Sequence, residues 1–337
     1  MAARVGIREV ATLAEVSLGT VSHYINHPAR VSPEKQVRIQ RAIDQLGFVR
    51  NNAAWQLRLG RSATIAYIAP DVSNPFFATI AEGVEQRAAA TGYSVFIANS
   101  GRSRAREDAY IEQFEAQRVQ GLLVASQDPV EERLLQARQR GTASVLVGQR
   151  AISPLQPSVS IDDVMGGYLA ADHLISQGRT RIAFIGGPLG IRQVADRLEG
   201  ASRAVAEHAG VTIEVINTAD RTIAEGHLVA EALIARPHES RPDGVFAVND
   251  LLALGMLRTL VENGVRVPHD LALIGYDDIE FGASSIIPLS SIRAPHEDFG
   301  IAAVDLLLAE LSGEETDAPK HVVFPPSLVV RASTVST

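Results

Sequence analysis

The stretch from Ile7 to Asn26, IREVATLAEVSLGTVSHYIN, reads as two short helices joined by a tight turn. Ile7, Val10, Ala11 and Ala14 recur at helical spacing, and Val16, Val21 and Ile25 resume the apolar stripe after a break at Glu15-Val16-Ser17. Gly6 can cap the first helix, with Glu9 three residues on. Ser17 can cap the second, its hydroxyl placed to accept from the Gly19 or Thr20 N–H. The second helix is predicted over Leu18 to Asn26. Ser17, Leu18, Gly19, Thr20, Ser22, His23 and Asn26 make its cap and outward face, all small or hydrogen-bonding groups except Leu18, with no acid among them. Such a face suits phosphates and base edges. A plain helical hairpin inside a larger all-α core would carry the same short pattern.

Working outward, Ser32-Pro33-Glu34 is a helix start, and Ile39, Ala42, Ile43 and Leu46 then mark one face of a third helix that closes the small core. Charge is distributed unevenly around this unit. The 337-residue chain carries a net charge of −8, yet residues 1–62 hold nine Arg and Lys against four acidic residues, or +5, leaving −13 for the rest. A basic head in front of an acidic body orients the head toward DNA.

With 46% hydrophobic and 21% charged residues, the composition is that of a globular protein of two or three domains. No run approaches the roughly 18 apolar residues of a membrane span, and the first residues lack a secretory apolar segment. A cytoplasmic protein, at the nucleoid when on DNA, is expected. The chain has no cysteine, which removes disulfides, thiol nucleophiles and thiolate metal sites.

From Ala63 onward, short apolar runs alternate with helical patterns. TIAYIA, YSVFIA, GLLVAS and ASVLVG read as strands, followed by RIAFIG, TIEVI, GVFAVN and LALIGY, with helices between successive strands. Parallel βαβ units arranged as two doubly wound lobes are expected, with strands near Val322 and Val329 closing the chain. Open parallel sheets take ligands beyond the C-terminal ends of their strands, so two facing lobes make a cleft.

The segments VATLAEVSLGTVSHYIN, VSPEKQVRIQRAIDQLGF, NNAAWQLRLGRS, PDVSNPFF, VFAVNDLLALG, LIGYDD and LVVRAST occur in order along nearly the whole chain. In this the chain resembles the lactose-repressor/galactose-repressor (LacI/GalR) family of bacterial transcription regulators. The resemblance implies an N-terminal three-helix helix-turn-helix DNA-binding domain over 1–50, a hinge helix and linker over 51–62, and a periplasmic-binding-protein-like α/β core over 63–331. Its first lobe is expected at about 63–162 and 293–321, its second at about 163–292 and 322–331, and 332–337 as a tail. The chain would cross between lobes three times.

In the hinge, the resemblance places Ala54 and Leu57 at the DNA minor groove, Leu57 as a wedge between base steps. A segment this short does not hold a helix alone in water, and a flexible tether is the plainer reading. For the effector, the resemblance points to Phe76 and Phe77 after the first strand, Arg197 in DRLEG, Asn249 and Asp277 at strand ends, and Asp162 after SVSI. Each has an ordinary alternative: core packing for Phe77, a surface ion pair for Arg197, a cap for Asn249 and Asp277. Arg221 stands where the family often stacks an aromatic on a sugar, which raises an anionic sugar derivative as effector. Glu15 stands where Gly is frequent, and a non-Gly residue held left-handed costs about 1–2 kcal/mol. His23 replaces a frequent Arg, and Arg50 a frequent Pro.

The resemblance implies a repressor, with near-palindromic operator DNA, a sugar or sugar derivative, and a second copy of the chain as partners. A dimer is expected because the sequence ends six residues past Arg331, without the heptad helix of tetrameric members. The alternatives are a solute-binding protein and an α/β enzyme. The sequence carries no Walker loop, GxGxxG turn, GxSxG elbow or HExxH site, so no catalytic residue, metal or cofactor is expected; GGPLG at Gly186 to Gly190 is a glycine-rich turn.

Overall fold

A computed structural model describes residues 5–48, 63–313 and 320–335. The chain divides into two compact units, ending at Arg61 and beginning at Ser62. Ala54, Trp55 and Leu57 of the expected hinge lie outside the described residues.

The head consists of α1 (Ile7–Leu13), α2 (Leu18–Asn26) and α3 (Pro33–Leu46), with a short 3-10 turn at Pro28–Arg30. Val10, Ala11, Ala14, Val21, Ile39 and Ala42 form its buried centre, which is the stripe read from the sequence. Gly47 takes the left-handed conformation that ends α3.

The core alternates strand and helix: β1 (Thr64–Ala69), α4 (Pro75–Ala90), β2 (Ser94–Asn99), α5 (Arg104–Ala116), β3 (Gly121–Ala125), α6 (Glu131–Gln139), β4 (Ala143–Val147) and β5 (Ser158–Ile161). A second series follows: α7 (Asp163–Ser176), β6 (Arg181–Ile185), α8 (Arg192–Ala206), β7 (Thr212–Ile216), α9 (Ile223–Ile234), β8 (Gly244–Ala247), α10 (Asp250–Glu262), β9 (Ala272–Asp277), α11 (Glu280–Ala283) and β10 (Ser290–Arg293). It closes with α12 (His296–Ser312), β11 (His321–Phe324) and β12 (Ser327–Val329).

Two six-stranded sheets result, ordered β11-β5-β4-β3-β1-β2 and β12-β10-β9-β8-β6-β7. The first is parallel throughout, and in the second only β12 runs antiparallel, against β10. The middle strands are buried on both faces, which is why they read as unbroken apolar runs rather than as alternation. The chain passes between lobes after β5, after β10 and after β11.

Two boundaries differ from the sequence reading. Val322 was expected in the second lobe, but His321–Phe324 pairs with Ser158–Ile161 at the edge of the first sheet, and the return falls at Pro325-Pro326. Prolines have no N–H to continue a ladder, so pairing with one sheet stops there and resumes with the other. Residues 332–335 are also not a tail. Ser333 is fully buried, its Oγ donating to the Leu273 carbonyl at 2.6 Å and accepting from the Ser290 N–H at 2.8 Å. Thr334 joins Ser290 Oγ and His173 Nε2, both at 2.7 Å.

Among the described residues, no helix is long and apolar enough to cross a membrane.

Candidate functional site

In the head, Ser17 caps α2 as its sequence position predicts: its Oγ accepts from the Thr20 N–H at 3.1 Å and shares a 2.8 Å hydrogen bond with Thr20 Oγ1. Ser17, Leu18, Gly19 and His23 are exposed, and Thr20 and Ser22 half-buried. Asn26 closes the helix. The turn before α2 is built on Glu15, whose φ of 52° is the left-handed conformation foreseen where glycine is frequent. Arg38 on α3 secures it, Nη2 donating to the carbonyls of Ala14 and Glu15 at 2.6 and 3.1 Å and to Glu15 Oε2 at 3.0 Å. The strain of about 1–2 kcal/mol outweighs an exposed ion pair worth about 0–1 kcal/mol. Glu15→Gly is therefore expected to stabilise the head by about 0.5–1 kcal/mol. Native-state hydrogen exchange of head amides in the full chain measures this, and slower protection loss is the expected direction.

In the core, one cleft between the strand ends of the two lobes gathers Phe76, Phe77, Arg197, Arg221, Asn249 and Asp277. Asn74 caps α4, accepting from the Phe76 N–H at 3.0 Å, and so fixes where the first turn presents its aromatics. Phe76 and Phe77 lie edge to face, centroids 4.8 Å apart, both half-buried.

Arg197 is almost wholly buried, and close helix packing puts it there. A Cβ on Gly167 of α7 would sit 1.9 Å from the Arg197 carbonyl, and one on Gly200 of α8 would sit 1.8 Å from that of Val164, so this crossing requires glycine on both helices. Two of the guanidinium's three nitrogens are engaged within the protein, and the residue still lines the cleft. Nε donates to Asp163 Oδ1 at 2.8 Å, Nη1 to the Val248 carbonyl at 2.6 Å, and Cζ lies 3.5 Å from the Tyr276 ring centroid. Burial alone would lower its pKa, but Asp163, Tyr276 and Asp277 reverse this and hold it above the ordinary arginine value.

Asp277 ends β9 with φ at 101°, and Asp278 follows at 55°, two successive non-glycine residues in the left-handed half of the map. Surrounding contacts hold that strain in place. Asp278 is clamped by Arg293 and Arg331, each at 2.6 Å, and its N–H donates to Ser291 Oγ. Asp277 itself is buried and makes no side-chain hydrogen bond to the described residues; Arg197 Nη1 is 4.0 Å away. Burial, reinforced by Asp163 and opposed by Arg197 and Arg221, pushes its pKa up to about 7. Behind it, the fully buried Asp250 accepts from the Ile279 N–H at 2.8 Å and from Ser291 Oγ at 2.7 Å, and burial raises its pKa well above the usual carboxylate range.

Asn249 lines the cleft while capping α10. Its Oδ1 accepts from the Leu252 N–H at 3.0 Å and its Nδ2 donates to the Arg221 carbonyl at 3.1 Å, so the capping role read from the sequence is present at a residue that also faces the cleft. Arg221 donates from Nη1 to the Gly187 carbonyl at 2.8 Å, and burial lowers its pKa to about 10. Asp162 does not join the cleft: its Oδ1 caps α7 by accepting from the Met165 N–H at 2.9 Å. A carboxylate at a helix start is satisfied locally, and the neighbouring Asp163 reaches Arg197 instead. Sequence reading also passed over Asp71, Arg102 and Asp220, which follow β1, β2 and β7 and line the same cleft.

A helix-turn-helix head followed by two doubly wound lobes sharing one polar cleft defines the class of DNA-binding regulators with a solute-sensing core. Residues 6–51 match the model for bacterial regulatory proteins of the lacI family, and residues 171–334 match that for a periplasmic binding protein-like domain. The HTH-type transcriptional repressor PurR of Aliivibrio fischeri (strain MJ11) is 32% identical over 334 residues, spanning 98% of this chain and 98% of that protein. The lac repressor dimer bound to operator and the anti-inducer ONPF superposes with a TM-score of 0.84 at 25% identity, covering 98% of this chain and 99% of that one. A transcriptional regulator CelR–cellobiose complex gives 0.71 at 32% identity, covering 98% and 100%.

The chain belongs to the lacI family of bacterial regulatory proteins. It is a transcriptional regulator with an effector-binding core, and not an enzyme.

Proposed function

We propose that this chain is a dimeric repressor that reads a near-palindromic operator through Ser17, Leu18, Gly19, Thr20, Ser22, His23 and Asn26, with Ala54 and Leu57 at the minor groove. A neutral sugar, bound between the lobes by Phe76, Phe77, Arg197, Arg221, Asn249 and Asp277, sets its operator affinity. The observation that carries the effector reading is Asp277, a buried carboxylate at the cleft without a hydrogen-bond donor from the described residues. A fixed carboxylate accepts from two adjacent hydroxyls, and half-buried aromatics suit the apolar face of a sugar ring. Arg197 spends Nε and Nη1 on Asp163 and Val248 and lines the same cleft with Nη2 outside those bonds, so it both orders the site and is kept among the effector contacts.

Charge around the cleft favours a neutral ligand. Arg102, Arg197 and Arg221 face Asp71, Asp163, Asp220 and Asp277, so an added anion meets no surplus of positive charge. A sugar acid or phosphate is the second reading, favoured by Arg221, whose Nε and Nη2 make no hydrogen bond to the described residues. Calorimetry of Arg221→Ala separates the two. A neutral sugar is expected to lose affinity by about the same factor at low and at moderate salt, whereas an anion's affinity should fall with salt in the parent and lose most of that salt dependence together with Arg221. Selection of bound duplexes from a random pool, repeated with a panel of sugars, tests the whole reading. Failure to enrich any sequence, with or without sugar, would remove it.

A further inference from the structure

The three segments joining the lobes lie at one edge of the sheets, beside β5 and β11 in the first and β10 and β12 in the second. The opposite edges are β2 and β7, four strand spacings or about 19 Å from β5 and β10. Arg102 follows β2 and Asp220 follows β7, and the two form an ion pair from one lobe to the other. It therefore closes the cleft at the side farthest from the connections, where a hinge motion displaces atoms most.

Arg102 is presented rigidly. Its N–H donates to the Pro70 carbonyl at 2.9 Å, its own φ is 60°, and its Nη2 donates to Asp71 Oδ2 at 3.2 Å on the same lobe. Across the gap, Asp220 Oδ1 also accepts from the Arg221 N–H at 2.7 Å. Among the described residues, the other hydrogen bonds between lobes at the cleft, Gln193 Nε2 to the Gly148 carbonyl at 3.1 Å and Arg192 Nη1 to the Arg150 carbonyl at 3.0 Å, run from the start of α8, after β6, to the end of β4, one strand from the connections in the first lobe, and end on neutral backbone.

We propose that Arg102 and Asp220 form an electrostatic latch that holds the empty lobes together at the mouth and opens to admit a solute. The admission step rests on the effector reading above; the latch itself does not. Because it is the cross-lobe contact at that edge made by two opposite charges, salt acts on it more strongly than on the two hydrogen bonds to carbonyls, the screening length falling to about 3 Å at 1 M.

The chain has no cysteine, so Glu112→Cys on α5 and Ala232→Cys on α9 give a clean pair of spin labels, one per lobe. Labelled chains are diluted in unlabelled protein and no ligand is added, so a failed effector hypothesis and a failed latch are separate results. Pulsed electron resonance is expected to give one short distance at low salt, lengthening by several ångström at 1 M sodium chloride. Arg102→Met, Asp220→Asn and the double variant should each show that longer distance at low salt, the double adding nothing to either single. A distance that ignores salt would overturn the proposal, as would single-variant shifts that add, or opening on loss of Asp220 but not of Arg102. The salt series needs neither latch variant, so misfolding of one would not protect the idea.

Discussion

Asp277→Asn is expected to weaken binding of the effector by about 100-fold. Hydrogen bonds to an ionised group contribute about 1.5–3 kcal/mol each, against about 1 for neutral pairs, so two hydroxyl contacts lose about 3 kcal/mol together. The shape of the site is unchanged, because Asn and Asp are nearly isosteric. The same residue gives binding its pH dependence. With a pKa of about 7 in the empty protein, raised mainly by burial, Asp277 is protonated below neutrality and ionised above. A ligand that needs the ionised form must displace that proton. Affinity should then be level above about pH 7 and fall by up to about tenfold per unit below it.

The stability effect has the opposite sense. A carboxyl whose folded pKa lies above its unfolded value stabilises the empty fold below about pH 4, and that contribution is lost as pH rises through about 7. Calorimetry from pH 5.5 to 8.5 reads the binding slope. An Asn variant with the parent's slope would show that another group titrates.

Arg197→Met should be among the most destabilising single changes in the core. The guanidinium is the partner of Asp163 at 2.8 Å and lies 4.0 Å from Asp277, and all three are buried. Removing one member of a buried pair leaves an uncompensated charge, at about 3–5 kcal/mol. For a domain of this size that is a fall in melting temperature on the order of 10 °C. Adding Asp163→Asn should recover part of the loss, since it removes the stranded carboxylate. A melting temperature within about 2 °C of the parent, by scanning calorimetry at pH 7.5, would contradict this account of the buried cluster.

Much of the fold was legible because its signals are local. The caps at Gly6 and Ser17, the stripe of Val10, Val21 and Ile39, and helices such as Pro75–Ala90 and Ile223–Ile234 are set by residues within a few positions of one another. Glu15 was readable in the same way, since a left-handed turn position constrains a single residue. Beyond that, information lies across the chain. Asp163 and Arg197 are 34 residues apart and Arg102 and Asp220 are 118 apart, and neither pairing leaves a periodic trace. Asp162 and Asp163 are chemically alike in sequence; only the start of α7 decides that one caps and the other reaches into the core. Phe76, Phe77, Arg197, Asn249 and Asp277 are candidates through family motifs rather than spacing, which is why their contacts, with Arg197 paired to Asp163 and Asn249 capping, are visible only in three dimensions.

The last crossings of the chain have a consequence for its synthesis. A ribosome releases β1 to β5 long before His296–Phe324, yet α12 and β11 are needed to cover that first sheet, Gly83 and Gly300 drawing α4 and α12 into backbone contact. The second sheet likewise waits for Ser327–Val329 and for Ser333, which bridges Leu273 and Ser290. Neither lobe can be completed during translation until nearly the whole message has been read. A nascent chain stalled before Phe324 would expose open strand edges in both halves at once, making it a client for chaperones rather than a half-working sensor.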